Sequence, residues 1–242
     1  MKAIILSAGK GTRIRELAPE KPKVLMEILG KPMIEWNIEL LRKYDIKDIA
    51  INTHYLADKI KDYLGNGERF GVKIRYSYEP ELLGTSGALN NFRDFFDEKF
   101  FVVYGDVISQ INLEKLVKFH NGKNASATLV VFKTNHPEDS DIVEIGEDER
   151  VIGFVHKPGN RNYGDLGNAA LYVAEPKILD YISEGESDFV KDTFRKMIVE
   201  GEKIYGYKTE EFIEDAGTPK RIKKVEEYLS QHTNYQHNNL FK

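Results

Sequence analysis

The chain contains no cysteine, which excludes disulfide staples, thiolate zinc centres and cysteine nucleophiles together. Long apolar runs are also missing. The first one, Ala3 to Leu6, is far too short for the core of a signal peptide and stops at a glycine-rich turn. No stretch approaches the length needed to cross a bilayer. Nor is there a surplus of positive charge: 35 basic against 39 acidic residues leave a net charge of -4, whereas general nucleic-acid binding needs a basic face to meet phosphates. The expectation is a soluble cytoplasmic protein that binds neither nucleic acid nor membrane. A small anionic substrate stays open, because a local cluster of cations can sit on an acidic protein.

What is present suffices for a sizeable core: 242 residues with a hydrophobic fraction of 41% and an aromatic fraction of 11%. Lys2 to Leu6 is a continuous β-branched apolar run and reads as a strand buried on both faces. Pro32 opens a helix over Met33 to Tyr44, in which Ile34, Ile38 and Leu41 recur at helical spacing. Further strands are predicted at Asp48 to Asn52, Val72 to Tyr76 and Phe100 to Tyr104. Helices are predicted at Leu56 to Leu64 and just after Thr85. This alternation implies crossover connections and a mainly parallel sheet. The pattern then shifts to strands at Ala127 to Phe132, Ile142 to Ile145, Val151 to Val155 and Ala169 to Val173, a mixed or antiparallel addition. Helices return at Pro176 to Ile182 and Asp188 to Glu200, followed by a strand at Lys203 to Lys208 and a last amphipathic helix at Pro219 to Leu229. One continuous domain over 1–229 and a frayed polar tail over 230–242 are expected, and the last helix and tail offer a face for a second copy of the chain in a homo-oligomer.

The turn Ser7-Ala8-Gly9-Lys10-Gly11-Thr12-Arg13 follows the first strand. A glycine-rich turn there aims backbone N–H groups at an anion and lets the backbone approach it closely. The dinucleotide fingerprint needs a small residue where Ile14 stands, and the second strand ends in Asn52-Thr53-His54 with no acid for a ribose. The Walker A order of glycine, lysine and hydroxyl is absent as well.

Leu6 to Arg13 with Pro22-Lys23-Val24-Leu25 resembles the signature of the sugar-1-phosphate nucleotidylyltransferases, the nucleotide-diphospho-sugar pyrophosphorylases. Five further segments follow in that family's order: Glu79 to Ala88 (EPELLGTSGA), Tyr104-Gly105-Asp106, Phe154 to Pro158 (FVHKP), Gly167 to Tyr172 (GNAALY) and Glu214 to Pro219 (EDAGTP). The resemblance covers Met1 to about Leu229. It implies the α/β fold of that family, a Rossmann-like, mixed, mainly parallel sheet flanked by helices. It also implies attack of a sugar-1-phosphate on the α-phosphorus of a nucleoside triphosphate, with Mg²⁺ as cofactor. Carried over residue by residue, it puts Leu6, Ala8, Gly9, Gly11, Thr12, Gly84, Thr85, Gly87 and Asp106 at the nucleotide, and Arg13, Lys23 and Lys157 in catalysis. Glu79, Tyr104, Gly105, His156, Asn168 and Ala169 fall at the sugar, and Asp106 with Asp215 at the metal.

Three positions depart from the family's pattern: His156 for a glutamate, Ala170 for a glycine and Tyr104 for a frequent asparagine. The segments look most like short guanylyltransferases acting on mannose-1-phosphate or a manno-heptose-1-phosphate, with uridylyl or thymidylyl transfer to glucose-1-phosphate, or a catalytically silent regulatory subunit that binds an NDP-sugar, as alternatives. No hexapeptide-repeat extension is found, so no coupled acetyltransferase is expected. The residues alone leave other roles open. Asp106 and Asp215 also suit turn caps, Lys157 a solvated loop and His156 a structural hydrogen bond.

Overall fold

The structure is a computed structural model that describes residues 1–9, 11, 19–156, 158–159 and 163–232. Its strands, in chain order, are β1 (Lys2–Leu6), β2 (Glu27–Ile28), β3 (Lys31–Pro32), β4 (Asp48–Thr53), β5 (Lys73–Tyr78), β6 (Phe100–Tyr104) and β7 (Val107–Ser109). They continue with β8 (Ala127–Lys133), β9 (Asp141–Ile145), β10 (Val151–His156), β11 (Leu166–Ala174), β12 (Ile204–Lys208) and β13 (Ile213–Asp215). Among the described residues, nine of them form one sheet in the order β10-β9-β11-β6-β1-β4-β5, with β8 against β11 and β12 against β8. The pairings make β10 and β11 run against the rest. The sheet is thus mixed and mostly parallel, and helices flank it.

β1 is central because its inner residues Ala3, Ile4 and Ile5 are apolar and fully buried. Ala3 and Ile5 point into one apolar layer and Ile4 into the other, the period-2 alternation of a strand covered on both faces. β4 and β6 repeat this with Ile49 and Ile51 against Ala50, and with Phe101 and Val103 against Phe100 and Val102. Helices Met33–Lys43, Ala57–Leu64 and Leu113–Lys123 contribute Ile34, Ile38, Leu41, Ile60, Leu64 and Leu116 to the first layer. A third cluster of Ile28, Met33, Trp36, Ile108, Ala216, Val225 and Leu229 seats the last helix, Pro219–His232, against β2 and the helix Met33–Lys43. From β1 the chain builds outward through β4 to β5, then returns to lay β6 on β1's other side. The carboxyl ends of β1 and β6 therefore form a switch point, where open α/β sheets take their ligands.

Several elements differ from expectation. Helix Leu113–Lys123 is not signalled by a strong apolar stripe, yet it is well capped, the Asn112 side chain accepting from Lys115 N at 3.0 Å. Pro176–Tyr181 is a 3₁₀ segment, and Phe189–Thr193 is a wide π-type turn leading into helix Phe194–Val199. Pro32 lies in β3 and caps the Met33–Lys43 helix from outside it. The final helix runs past Leu229 to His232, so Ser230 belongs to it and not to a tail.

Candidate active site

A cleft of about 270 Å³ opens at the carboxyl ends of β1 and β6. Leu6, Ser7, Ala8, Gly9 and Gly11 form one wall, Leu82, Gly84, Thr85 and Glu186 another, and Lys23, Asn52, Tyr104 and Asp106 complete it. Lys23 sits on a 3₁₀ turn after Pro22, only slightly exposed, and its ammonium pairs with the Asp106 carboxylate. Gly11 has φ +58°, and a Cβ there would stand 2.9 Å from the Lys23 Cβ. The glycine thus serves both the turn and the approach of the lysine.

A buried polar relay braces this cleft. Ser7 N donates to Asn52 Oδ1 at 2.8 Å, and Asn52 Nδ2 donates to Glu79 Oε1 at 2.8 Å. The second Glu79 oxygen accepts from Leu83 N at 3.0 Å. Glu79 itself is fully buried. The turn Gly84–Gly87 is held from behind by residues 185–193. Ser86 N and Gly87 N donate to the Ser187 carbonyl at 3.0 and 3.1 Å, and Ser187 N donates to the Leu83 carbonyl at 2.9 Å. Thr85 Oγ1 donates to Asp188 at 2.8 Å and accepts from Phe189 N at 2.9 Å, while Ser86 and Thr193 share a buried hydroxyl chain with Ser187. Gly84 has φ +75°, and a Cβ on it would run into the Ser187 carbonyl.

A second cleft, about 250 Å³, adjoins the first and shares Tyr104 and Asp106 with it. Its other walls include His136, Ser140, Asp141, Asn168, Ala169, Ala170, Glu214, Asp215 and Arg221. β7 and β13 bring the two distant aspartates together. Asp215 stands opposite Val107 in the ladder, and Ala216 N donates to the Asp106 carbonyl at 2.8 Å. Arg221 Nη1 donates to both Asp215 oxygens, at 2.9 and 2.6 Å. Burial would lower the Arg221 pKa, but the Asp215 charge and hydrogen bonds, backed by Asp139 and Glu214, raise it above its ordinary value, so the guanidinium stays charged. Burial likewise raises the Tyr104 pKa, and this phenol between the clefts stays neutral. Asn168 donates to the Tyr172 hydroxyl at 2.8 Å and accepts from Ala170 N at 3.2 Å. Ala170 has φ +54° where the β11–β8 register shifts, a left-handed conformation that glycine adopts without strain.

The first cleft therefore gathers Leu6, Ala8, Gly9, Gly11, Lys23, Gly84, Thr85 and Asp106, and the second Tyr104, Asn168, Ala169, Asp106 and Asp215. Arg13, Thr12 and Lys157 lie outside the described residues. Four expected positions, Glu79, Gly87, Gly105 and His156, line neither cleft. Glu79 is buried and spends both oxygens on the relay, which ties Asn52 to the loop at Leu83. Gly87 packs on the backbone of Gly185 and Ser187, and Gly105 beneath Val24, Leu6 and Ser7. His156 stands behind Asp141, which it pairs with through Nδ1 and which does face the cleft. Asn52, Glu186, Asp141, His136 and Arg221 escape a reading of the sequence. Their only trace there is polarity at a strand end or helix start, and packing between distant segments decides their place.

A family model described as nucleotidyl transferase matches residues 2–232. A UTP--glucose-1-phosphate uridylyltransferase of Synechocystis is 36% identical over 222 residues, covering 85% of this chain and 57% of the relative. The mannose-1-phosphate guanylyltransferase catalytic subunit beta of Dictyostelium discoideum is 34% identical over 224 residues, covering 91% and 62%. The chain thus spans 57% to 62% of the length of these curated relatives. Among solved structures, a Bacillus anthracis protein bound to sucrose superposes with a TM-score of 0.87 at 24% identity, over 98% of this chain and 97% of that one. HddC from Yersinia pseudotuberculosis, complexed with GMP-PN, gives 0.81 at 23% identity, over 94% and 99%. Both share the fold.

Proposed function

This chain belongs to the nucleotidyl transferase family, and on that premise we propose that it transfers a nucleotidyl group from a nucleoside triphosphate to a sugar-1-phosphate, releasing pyrophosphate. The observation that carries the reading is the pair of clefts meeting at Tyr104 and Asp106. One is lined by a glycine-rich loop and a lysine, as a triphosphate requires, and the other by polar side chains suited to a sugar. The attacking phosphate oxygen is already an anion, so no serine, cysteine or strong base is needed. The chemistry is chiefly placement and charge stabilisation. Lys23 would neutralise phosphate charge from the nucleotide side, with Arg13, and Lys157 would orient the attacking phosphate. Gly9 leaves room for the phosphates against the backbone and Gly11 lets Lys23 come close to the loop, while Tyr104 would border both substrates where they meet.

Magnesium dependence is part of the proposal. The Asp106 and Asp215 carboxylates face one cleft from neighbouring strands, an all-oxygen pair that suits a hard cation. Each carries a cationic partner in the free protein, Lys23 and Arg221, whose place the ion would share or take. Held by Asp106 and Asp215, the ion would offset the charge of the reacting phosphates.

GTP with mannose-1-phosphate or a manno-heptose-1-phosphate is the leading pair, supported by relatives named mannose-1-phosphate guanylyltransferases. UTP or dTTP with glucose-1-phosphate is the alternative, supported by the Synechocystis relative. A cytoplasmic location is proposed with either. The test is a matrix of nucleotides against sugar phosphates, read by pyrophosphate release, with Asp106→Asn alongside. Magnesium-dependent release that the variant loses is expected. No turnover across the matrix in folded protein refutes the reading.

A further inference from the structure

Five carboxylates line the second cleft, those of Asp106, Asp139, Asp141, Glu214 and Asp215. Among the described residues, Arg221 is the one lysine or arginine lining it. A phosphate monoester entering such a cleft meets like charge on most sides, and it needs a cation with a free donor face.

We infer that Arg221 is a phosphate-binding residue of the sugar-1-phosphate subsite, resting on Asp215 in the free protein and turning its guanidinium to the incoming phosphate. This deepens the proposed function and rests on it. Three observations carry it. The side chain is 15% exposed and sits in the cleft wall, so its charge is available to a ligand there without being dispersed in solvent. Nη1 alone donates to both Asp215 oxygens, at 2.9 and 2.6 Å, and a phosphate presents a comparable pair of acceptor oxygens to a guanidinium. Its second nitrogen is loosely engaged, donating to Asp139 Oδ2 at 3.3 Å and standing 3.3 Å from both His136 ring nitrogens. The strong partner the guanidinium leaves on turning is Asp215.

The anchor beneath it is firm. Arg221 N donates to Thr218 Oγ1 at 3.3 Å in the first turn of helix Pro219–His232, and that helix is pinned by Val225, Leu229 and a Glu226 bond to Leu29 N at 3.1 Å. Release from Asp215 would also free that carboxylate, so sugar-phosphate binding and cation binding at Asp215 are coupled through one side chain.

The alternative is a strut that only ties Asp215 to Asp139. Steady-state kinetics with both substrates, and calorimetric titration of mannose-1-phosphate and glucose-1-phosphate in the absence of nucleotide, separate the two in Arg221→Gln and Arg221→Lys. Losing a charged bidentate contact is expected to raise the KM and Kd for the sugar phosphate about 10- to 100-fold in Arg221→Gln. The triphosphate KM stays within about twofold, and Arg221→Lys falls between wild type and Arg221→Gln. Should Arg221→Gln fail to fold, a selective rise in sugar-phosphate KM in Arg221→Lys supports the inference in its place. Unchanged sugar-phosphate affinity, or an equal loss for both substrates, overturns the inference while leaving the proposed function intact. A wild-type protein inactive with every substrate pair overturns the function itself.

Discussion

Glu79→Gln is the sharpest probe of how the nucleotide side is built. Both neighbours of the Glu79 side chain are N–H donors, Asn52 Nδ2 and Leu83 N. A carboxylate accepts from both, whereas an amide offers one oxygen and must turn its NH₂ toward the other donor. Flipping Asn52 does not help, because its Oδ1 already accepts from Ser7 N. One donor in a fully buried setting is left facing a donor, which costs about 1–3 kcal/mol. For a chain of 242 residues that is about 2–12 °C in Tm. The damage should be directional, since the relay joins the Ser7 turn to Leu83, just before the Gly84–Gly87 turn. We expect a lower denaturant midpoint with unchanged slope and a raised KM for the triphosphate, with the KM for the sugar phosphate close to wild type. A variant as stable as wild type to within about 0.5 kcal/mol refutes the relay. A loss confined to the sugar phosphate would return Glu79 to the sugar.

Gly84→Ala places a Cβ against the Ser187 carbonyl at φ +75° and should cost on the order of 2 kcal/mol, read as a fall in the denaturant midpoint; a neutral result removes the packing explanation. Ala170→Gly relieves a left-handed alanine at φ +54°, and about 1–2 kcal/mol of strain less about 0.5–1 kcal/mol of chain entropy should leave a small gain in stability, whereas an ordinary loss would show that no strain is stored there. His120 is fully buried between Thr128 and Glu175, and burial lowers its pKa from 6.5 despite the opposing Glu175. The unfolded chain therefore takes up this proton first as pH falls through about 6.5, and stability should drop with it. His120→Gln should fall less steeply over the same window, and equal slopes in denaturant titrations would dismiss the group.

Most of the frame is legible in the order of residues alone, because β1, β4 and β6 are apolar on both faces and leave no other place for Ile4, Ala50 and Val102 than between two layers. The glycine loop and the two aspartates are legible for a similar reason, since each stands immediately after or at the end of a strand. What escapes is whatever depends on two distant segments at once. Arg221 reaches the cleft only because Val225 and Leu229 dock its helix on Ile28 and Trp36, a contact that no local periodicity encodes. Glu79 looks like a ligand-binding acid until Asn52 and Leu83 are seen to consume it.

The glycines show how one signal can have two physical causes. Gly9 has nothing within 4 Å of where a Cβ would stand, and it borders the cleft, so it leaves room for a ligand. Gly87 would collide with the Gly185 carbonyl and borders no cleft. It is small for the protein's own backbone, and through Ser187 it connects residues 185–193 to the wall of the nucleotide cleft. Substituting Gly9 should therefore act on phosphate affinity with little effect on folding. Substituting Gly87 should act on stability first, and on nucleotide affinity only by shifting Gly84 and Thr85 out of line.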